Sequence, residues 1–195
     1  MERQAATHAA PLDGALSAPY DRFMHIVTPT VADVGRLQTL MRTTLTEAFG
    51  HLYSPADLSA YLDTAYATAQ LTSELADPRN YWQLVVDGGG APVGYLQCVP
   101  AHLPHPEIRP DRDGEIQRIY VLKSQQGRGL GHRLMNLALD HLAERYGDAP
   151  QWIGVYSENP RAQKLYRSYG FEKAGEYKFP VGDVLDDEFI FRRLP

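Results

Sequence analysis

Apolar positions along the chain switch between two periods, and the switches mark out the elements. Residues 23–28, FMHIVT, form a short β-rich run. From Val31 the spacing becomes helical: Val31, Val34, Leu37, Leu40, Met41 and Leu45 recur every three or four residues, and Gly50 can end the helix. A second helical stretch covers 54–78. Ser54 can cap it, Pro55 suits its first position and Pro78 closes it. The apolar stripe thins near Tyr66, which predicts a break there.

Two β-rich runs, 81–87 and 91–99, flank a glycine turn and read as a hairpin. A proline-rich, charged loop over 101–114 leads into 115–122, EIQRIYVL. Its few polar breaks predict a central strand covered on both faces. A helix follows over 129–146, with Leu130, Leu134, Leu137 and Ala138 as its buried stripe. Residues 151–157 form another strand. The short helix 158–170 has Asn159 as cap, Pro160 in its first turn and Gly170 as its stop. Two strands, 171–179 and 187–194, end the chain around PVGDVLD. The order is strand, two helices, three strands, helix, strand, helix, two strands. It predicts an α/β three-layer sandwich with helices on both faces of a mixed sheet. One domain is expected over 21–195, after a flexible leader over 1–20.

Composition narrows the function classes. The net charge of −5 over 195 residues lacks the basic footprint of a nucleic-acid binder. A single cysteine, Cys98, rules out a disulfide within the chain and points to a reducing, cytoplasmic setting. No apolar run approaches the ~20 residues that span a bilayer, and the first residues lack the basic start and apolar core of a signal peptide. No membrane partner is expected. His102 and His105 share a loop, but they lack thiolate partners and HExxH spacing, so no metal is implied.

The stretch QQGRGLG, 125–131, carries the strongest chemical signal. Glycines between a strand and a helix leave bare backbone where the helix's first amides have no internal partners and its dipole favours an anion. Arg128 can add a charge-assisted contact. The spacing does not match G-x-G-x-x-G, and a P-loop's Lys and hydroxyl are missing. It does match Q-x-x-G-x-G, as Gln126, Gly129 and Gly131.

Together, EIQRIYVLKSQQGRGLGHRLMNLAL and WIGVYSENPRAQKLYRSYGFEKAG resemble two motifs of the GCN5-related N-acetyltransferase (GNAT) superfamily, in the right order and separation. The resemblance covers roughly 25–194. It implies a GNAT-type three-layer α/β/α sandwich around a mixed, mostly antiparallel central sheet. It also implies acetyl-CoA as donor and a primary amine as acceptor. YSPADLSAYLDTAYATAQLTSEL and GEYKFPVGDVLDDEFIF are similar to PaiA-type polyamine acetyltransferases, although VLD stands where that subgroup usually has polar residues. The subgroup implies spermidine or spermine as acceptor. A protein N-terminus, an antibiotic or an amino acid is the alternative acceptor, and a non-catalytic acyl-CoA sensor is the alternative class. A monomer or homodimer is expected.

The resemblance assigns candidate residues. Gln126, Gly127, Arg128, Gly129, Leu130 and Gly131 would hold the pyrophosphate. Tyr120, Val121 and Leu122 would line pantetheine through their backbone, with an oxyanion-type contact from amides near Val121. Asn159 and Ala162 would add donor contacts. Tyr166 would protonate the leaving thiolate, although Ala162, Leu165, Tyr166 and Tyr169 also read as a plain core face. Glu115 lies eleven residues before Gln126. That is the offset of the general base in histone-acetylating members, so Glu115 is the candidate base, directly or through water. Arg118, Asp183 and Asp187 are candidate acceptor contacts. Asp183, Asp186, Asp187 and Glu188 crowd four carboxylates into six residues, either a solvated hairpin tip or a cation-attracting rim.

Overall fold

The computed structural model describes residues 24–195. The expected leader and Phe23 of the first predicted strand lie outside them. Seven strands form one sheet: β1 (His25–Val27), β2 (Tyr81–Val86), β3 (Pro92–Pro100), β4 (Gly114–Val121), β5 (Gln151–Tyr156), β6 (Glu172–Val181) and β7 (Val184–Arg193). Their spatial order is β1-β2-β3-β4-β5-β7-β6. The β4–β5 pair is parallel and the other pairs are antiparallel. The helices are α1 (Val34–Phe49), α2 (Pro55–Ala65), α3 (Thr68–Ala76), α4 (Leu130–Tyr146) and α5 (Pro160–Ser168).

Strand alternation places apolar groups on both faces of the sheet. On one face, Trp82, Leu84 and Val86 of β2 pack with Leu37, Met41 and Leu45 of α1, Leu62 of α2 and Leu71 of α3. On the other, Val85 of the same strand joins Ile116, Ile153 and Phe191 beneath Leu134, Ala138 and Leu142 of α4 and Tyr166 of α5. The expected three layers are therefore present, with a core on each face of the sheet. The break near Tyr66 is also present. Buried Tyr66 ends α2, and its carbonyl accepts from Gln38 Nε2 at 2.6 Å.

The terminal hairpin is longer than its sequence suggested. Strand pairing continues to Val181 and Val184, so only Gly182 and Asp183 form the tip. Gly182 takes φ 59°, and a Cβ there would lie 2.4 Å from Asp57 Oδ1 and 2.8 Å from its Cβ. The tip is thus pressed against the start of α2, where Ser54 Oγ accepts from Asp57 N–H at 3.1 Å.

Pairing is incomplete in the middle of the sheet. β4 and β5 pair only through Gly114–Ile116 and Gln151–Ile153. Opposite β3, the register slips between Gln97 and Cys98, leaving Gln117 as an extra residue in β4. Beyond this bulge β4 follows β3 alone, and a wedge opens between β4 and β5.

Gly182→Ala should destabilise the protein by about 1–3 kcal/mol, because a methyl group meets both a strained backbone and Asp57. Chemical denaturation should show the loss as a lower midpoint with an unchanged slope.

Candidate active site

The wedge continues into an elongated cavity of about 1220 Å³. One end is built from the β4–α4 connection. Gly127 and Gly129 have φ of 79° and 81°. A Cβ would meet nothing at either position, so backbone conformation, not crowding, calls for glycine. Arg133 N–H makes the first helical rung of α4, to Gly129 O at 3.0 Å, which leaves the preceding amides outside the ladder. At Gly131 a Cβ would meet only Leu165 Cδ2, at 3.6 Å, so the protein itself leaves room there.

Gln126 stiffens this end. Its Nε2 donates to Val121 O at 3.1 Å, and its Oε1 accepts from Arg161 at 2.5 Å. Arg161 stands at the start of α5 and also lines the cavity, a cation that motif spacing did not single out. Asn159 lines the wall, but its Oδ1 caps α5 by accepting from Ala162 N–H at 3.0 Å. Tyr120, Val121, Gln126, Gly127, Gly129, Leu130, Gly131 and Ala162 share the same wall. Leu122 and Arg128 are not among the described residues that line it. Leu122 packs into the cores, and Arg128 is exposed on the loop.

Tyr166 lies where the wedge meets α5. It is 6% exposed, and burial, then the charge of Glu188, raises its phenol well above the usual tyrosine value. It therefore carries its proton at any physiological pH. Glu115 also lines the cavity and is 3% exposed. Its Oε2 accepts from the backbone N–H groups of His102 and Leu103, at 2.9 and 3.2 Å, and faces His102 Nδ1 at 3.2 Å. The hydrogen bond to Glu115 raises the pKa of His102. Arg118 reaches the cavity wall, but its guanidinium is held by Glu74 at 2.5 Å and by Gln97 Oε1. Burial opposes ionisation of Glu74, yet Arg118 brings it below the usual carboxylate range.

The acidic hairpin divides by strand alternation. Asp183 is exposed at the tip, and its N–H faces Asp57 Oδ1 at 3.4 Å. Asp187 is exposed and paired with Lys178 at 2.6 Å. Neither is among the described residues lining the cavity. Asp186 and Glu188 point the other way and do line it. Asp186 is 9% exposed and accepts a hydrogen bond from the Tyr53 hydroxyl. Tyr61, Tyr156, Tyr177 and Phe179 complete this end, with Tyr61 and Phe179 edge to face at 6.0 Å. The signal in the sequence was the i, i+2 spacing of Asp186 and Glu188. It became readable only once β7 was known to begin at Val184.

The donor end suits a long ligand that carries a pyrophosphate. Out-of-ladder amides at a helix start can receive the phosphates, and the unpaired edge of β4 beyond Gln117 can receive an extended amide chain. Among the described residues, no cluster of His, Cys, Asp and Glu could hold a metal ion, and no helix is long and apolar enough to cross a membrane.

Comparison with known proteins agrees with this geometry. The model for the acetyltransferase (GNAT) family matches residues 41–171. An uncharacterized N-acetyltransferase of Lactobacillus delbrueckii subsp. lactis is 31% identical over 169 residues, 86% of this chain and 95% of that protein. The spermine/spermidine N(1)-acetyltransferase of Bacillus subtilis is 31% identical over 73 residues, 37% of this chain and 48% of that enzyme. Among solved structures, the PaiA N-acetyltransferase of Thermoplasma acidophilum in complex with coenzyme A superposes with a TM-score of 0.70 at 14% identity, covering 88% of this chain and 99% of that one. The chain belongs to the GNAT family of acetyltransferases, enzymes that take an acyl group from acetyl-coenzyme A.

Proposed function

We propose that the protein acetylates a primary amine of a small cationic molecule of the polyamine type, such as spermidine or spermine. The observation that carries this reading is the polarity of one continuous cavity. Bare helix-start amides occupy one end, and the inward carboxylates Asp186 and Glu188 stand among phenol rings at the other. An anion-binding end suits the donor. Carboxylates beside aromatic rings suit an ammonium group. The partial likeness to a spermine/spermidine acetyltransferase and the shared fold with PaiA support the same acceptor class.

Acetyl-coenzyme A supplies the acetyl group as a thioester, whose C–S bond is replaced by a C–N bond while the ammonium sheds two protons, one to solvent and one to the thiol. The chain's residues bind, orient and move protons around that exchange. Backbone amides of 126–131 hold the pyrophosphate, with Gln126 bracing the loop and Arg161 adding charge at its edge. The open edge of β4 near Tyr120 and Val121 aligns the pantetheine chain, and an amide there polarises the carbonyl. Tyr166 keeps its proton for the leaving sulfur, as its burial and the neighbouring Glu188 ensure. Arg118 shapes the wall: with its charge neutralised by Glu74, it does not repel a cationic acceptor.

Three measurements test this reading. Wild-type protein should release CoA thiol fastest with spermidine or spermine in a panel that includes amino acids and peptides. Turnover of a peptide N-terminus with polyamines inert would replace the acceptor. Gly129→Glu puts a side chain and a negative charge at a positive-φ helix start. It should weaken acetyl-CoA binding about 100-fold or more in calorimetry, roughly 2.7 kcal/mol. Tyr166→Phe should lower kcat about 100-fold with acetyl-CoA affinity nearly unchanged, and an unchanged kcat removes Tyr166 from the chemistry.

A further inference from the structure

Two carboxylates line this cavity in opposite circumstances, Glu115 and Glu188. Glu115 is already engaged. Three nitrogens surround its Oε2, two of them backbone N–H groups of the turn after β3. These contacts occupy Oε2 and direct it toward the 101–103 turn. Its geometry is that of a clip holding residues 101–103 against β4.

Glu188 is half-buried, and its hydrogen-bond donor is a side-chain hydroxyl, that of Tyr177, not backbone N–H. Tyr177 of β6 is its cross-strand partner, and Tyr156 of β5 is its partner on the other side. Gly154, two residues before Tyr156, leaves the space. A Cβ there would lie 3.4 Å from Glu188 Oε2 and 3.3 Å from the Tyr177 hydroxyl oxygen. From β7 itself comes Asp186, whose negative charge acts on Glu188. The segment ahead of α2 brings Tyr53, which donates to Asp186. α5 brings Tyr166, α2 brings Tyr61, and β4 brings Glu115 and Arg118, the last ion-paired with Glu74 of α3. The surroundings of Glu188 are thus phenols, with Tyr120 of β4 among them, and two further carboxylates, while Arg118 is ion-paired with Glu74.

An ammonium group entering this end would find the two inward carboxylates of β7 before it meets the wedge. Resting on the acetyl-transfer reading above, we propose that Glu188 receives the acceptor's ammonium and takes its proton, that Asp186 is the positioning residue that keeps it basic, and that Glu115 is structural. The proton step is simple. The ammonium nitrogen gives one proton to the Glu188 carboxylate, which becomes the acid. The freed lone pair can form the C–N bond, and the acid returns its proton to solvent. Burial, then the charge of Asp186, pushes the Glu188 carboxyl up to about 7, against a smaller lowering by the Tyr177 hydroxyl. A base near the working pH suits this task. The same Glu188 charge raises Tyr166, so the groups that take and give protons lie in one field, with their affinities pushed upward together.

The test uses the full chain, with spermidine as probe. In the wild type, kcat/KM should rise with pH through an inflection near 7, because Glu188 is an ineffective acid below it and a base above. E188Q should lose that inflection and about 100-fold or more of kcat, while calorimetric affinity for acetyl-CoA stays within about twofold. D186N should move the inflection to lower pH, since it removes a like charge. E115Q should keep the inflection and lower the melting temperature. Independently of turnover, ¹³C NMR of side-chain-labelled glutamate should show one carboxyl titrating near 7. That signal should be absent in E188Q and displaced to lower pH by spermidine. E188Q should also melt higher than the wild type at pH 8, and the difference should shrink at pH 5.5, where Glu188 is already protonated. A merely structural glutamate would give the opposite sign.

An inflection and kcat retained in E188Q, or lost in E115Q instead, overturns the assignment while leaving acetyl transfer intact. No NMR titration near 7 overturns it as well. A titrating carboxyl that spermidine shifts, in a protein that acetylates no amine, upholds cation binding at Glu188 and sinks the acetyl-transfer reading.

Discussion

The separation of β4 from β5 is the constraint on which the rest of the molecule depends. Parallel neighbours normally pair along their full length, and here they part after three residues. The extra residue at Gln117 turns β4 so that its second half follows β3, and backbone groups that would have completed the ladder face the cavity instead. Unsatisfied backbone in a protein interior is costly. The parting therefore makes sense only with a ligand or solvent in the wedge, and the remaining site elements are arranged around it. α4 starts at its rim and α5 lies along it, and β7 closes the ladder with the other edge of β5.

Electrostatics divides the cavity as the backbone does. At the donor end the positive character comes from amide dipoles and Arg161. At the acceptor end it is suppressed, because Arg118 is bound to Glu74 and Gln97. A half-buried ion pair of this kind adds little net stability. Its value is local: it fills the wall with a large polar group without presenting a positive charge to the opening. What remains at that end is the negative charge of Asp186 and Glu188 and the faces of Tyr61, Tyr177 and Phe179.

Much of the donor end was legible in the sequence because it is local. The strand, glycine turn and helix start lie within consecutive residues, so type and spacing carry the geometry. Gly127 and Gly129 stand in the strand-to-helix turn where their clustering placed them, and both adopt positive φ. The three-layer order and the break at Tyr66 were legible for the same reason. The acceptor end was not, because it depends on pairing between distant segments. The proline, glycine and aspartates of PVGDVLD read as a loop, yet Val181 and Val184 pair across a two-residue tip. The extension brings Asp186 into the strand, on the face of Glu188: Asp183 and Asp187 were the expected contacts, and Asp186 and Glu188 occupy the wall. Glu115 was found in the cavity as expected, but no spacing rule could show that the 101–103 turn would claim its oxygen.

The hairpin tip pressed against Asp57 has a consequence for how such an enzyme can change over generations. The donor wall is encoded in one contiguous stretch from β4 to α5, which any variant must keep to retain its thioester. The proposed acceptor wall draws chiefly on two remote pieces, the start of α2 and the β6–β7 hairpin, joined by the contact at Gly182. Away from Asp186 and Glu188, substitutions in those pieces can drift together without disturbing the inherited chemistry. Selection for a new amine would therefore act on two short modules that must coevolve with each other, while remaining largely uncoupled from the half that binds the common metabolite.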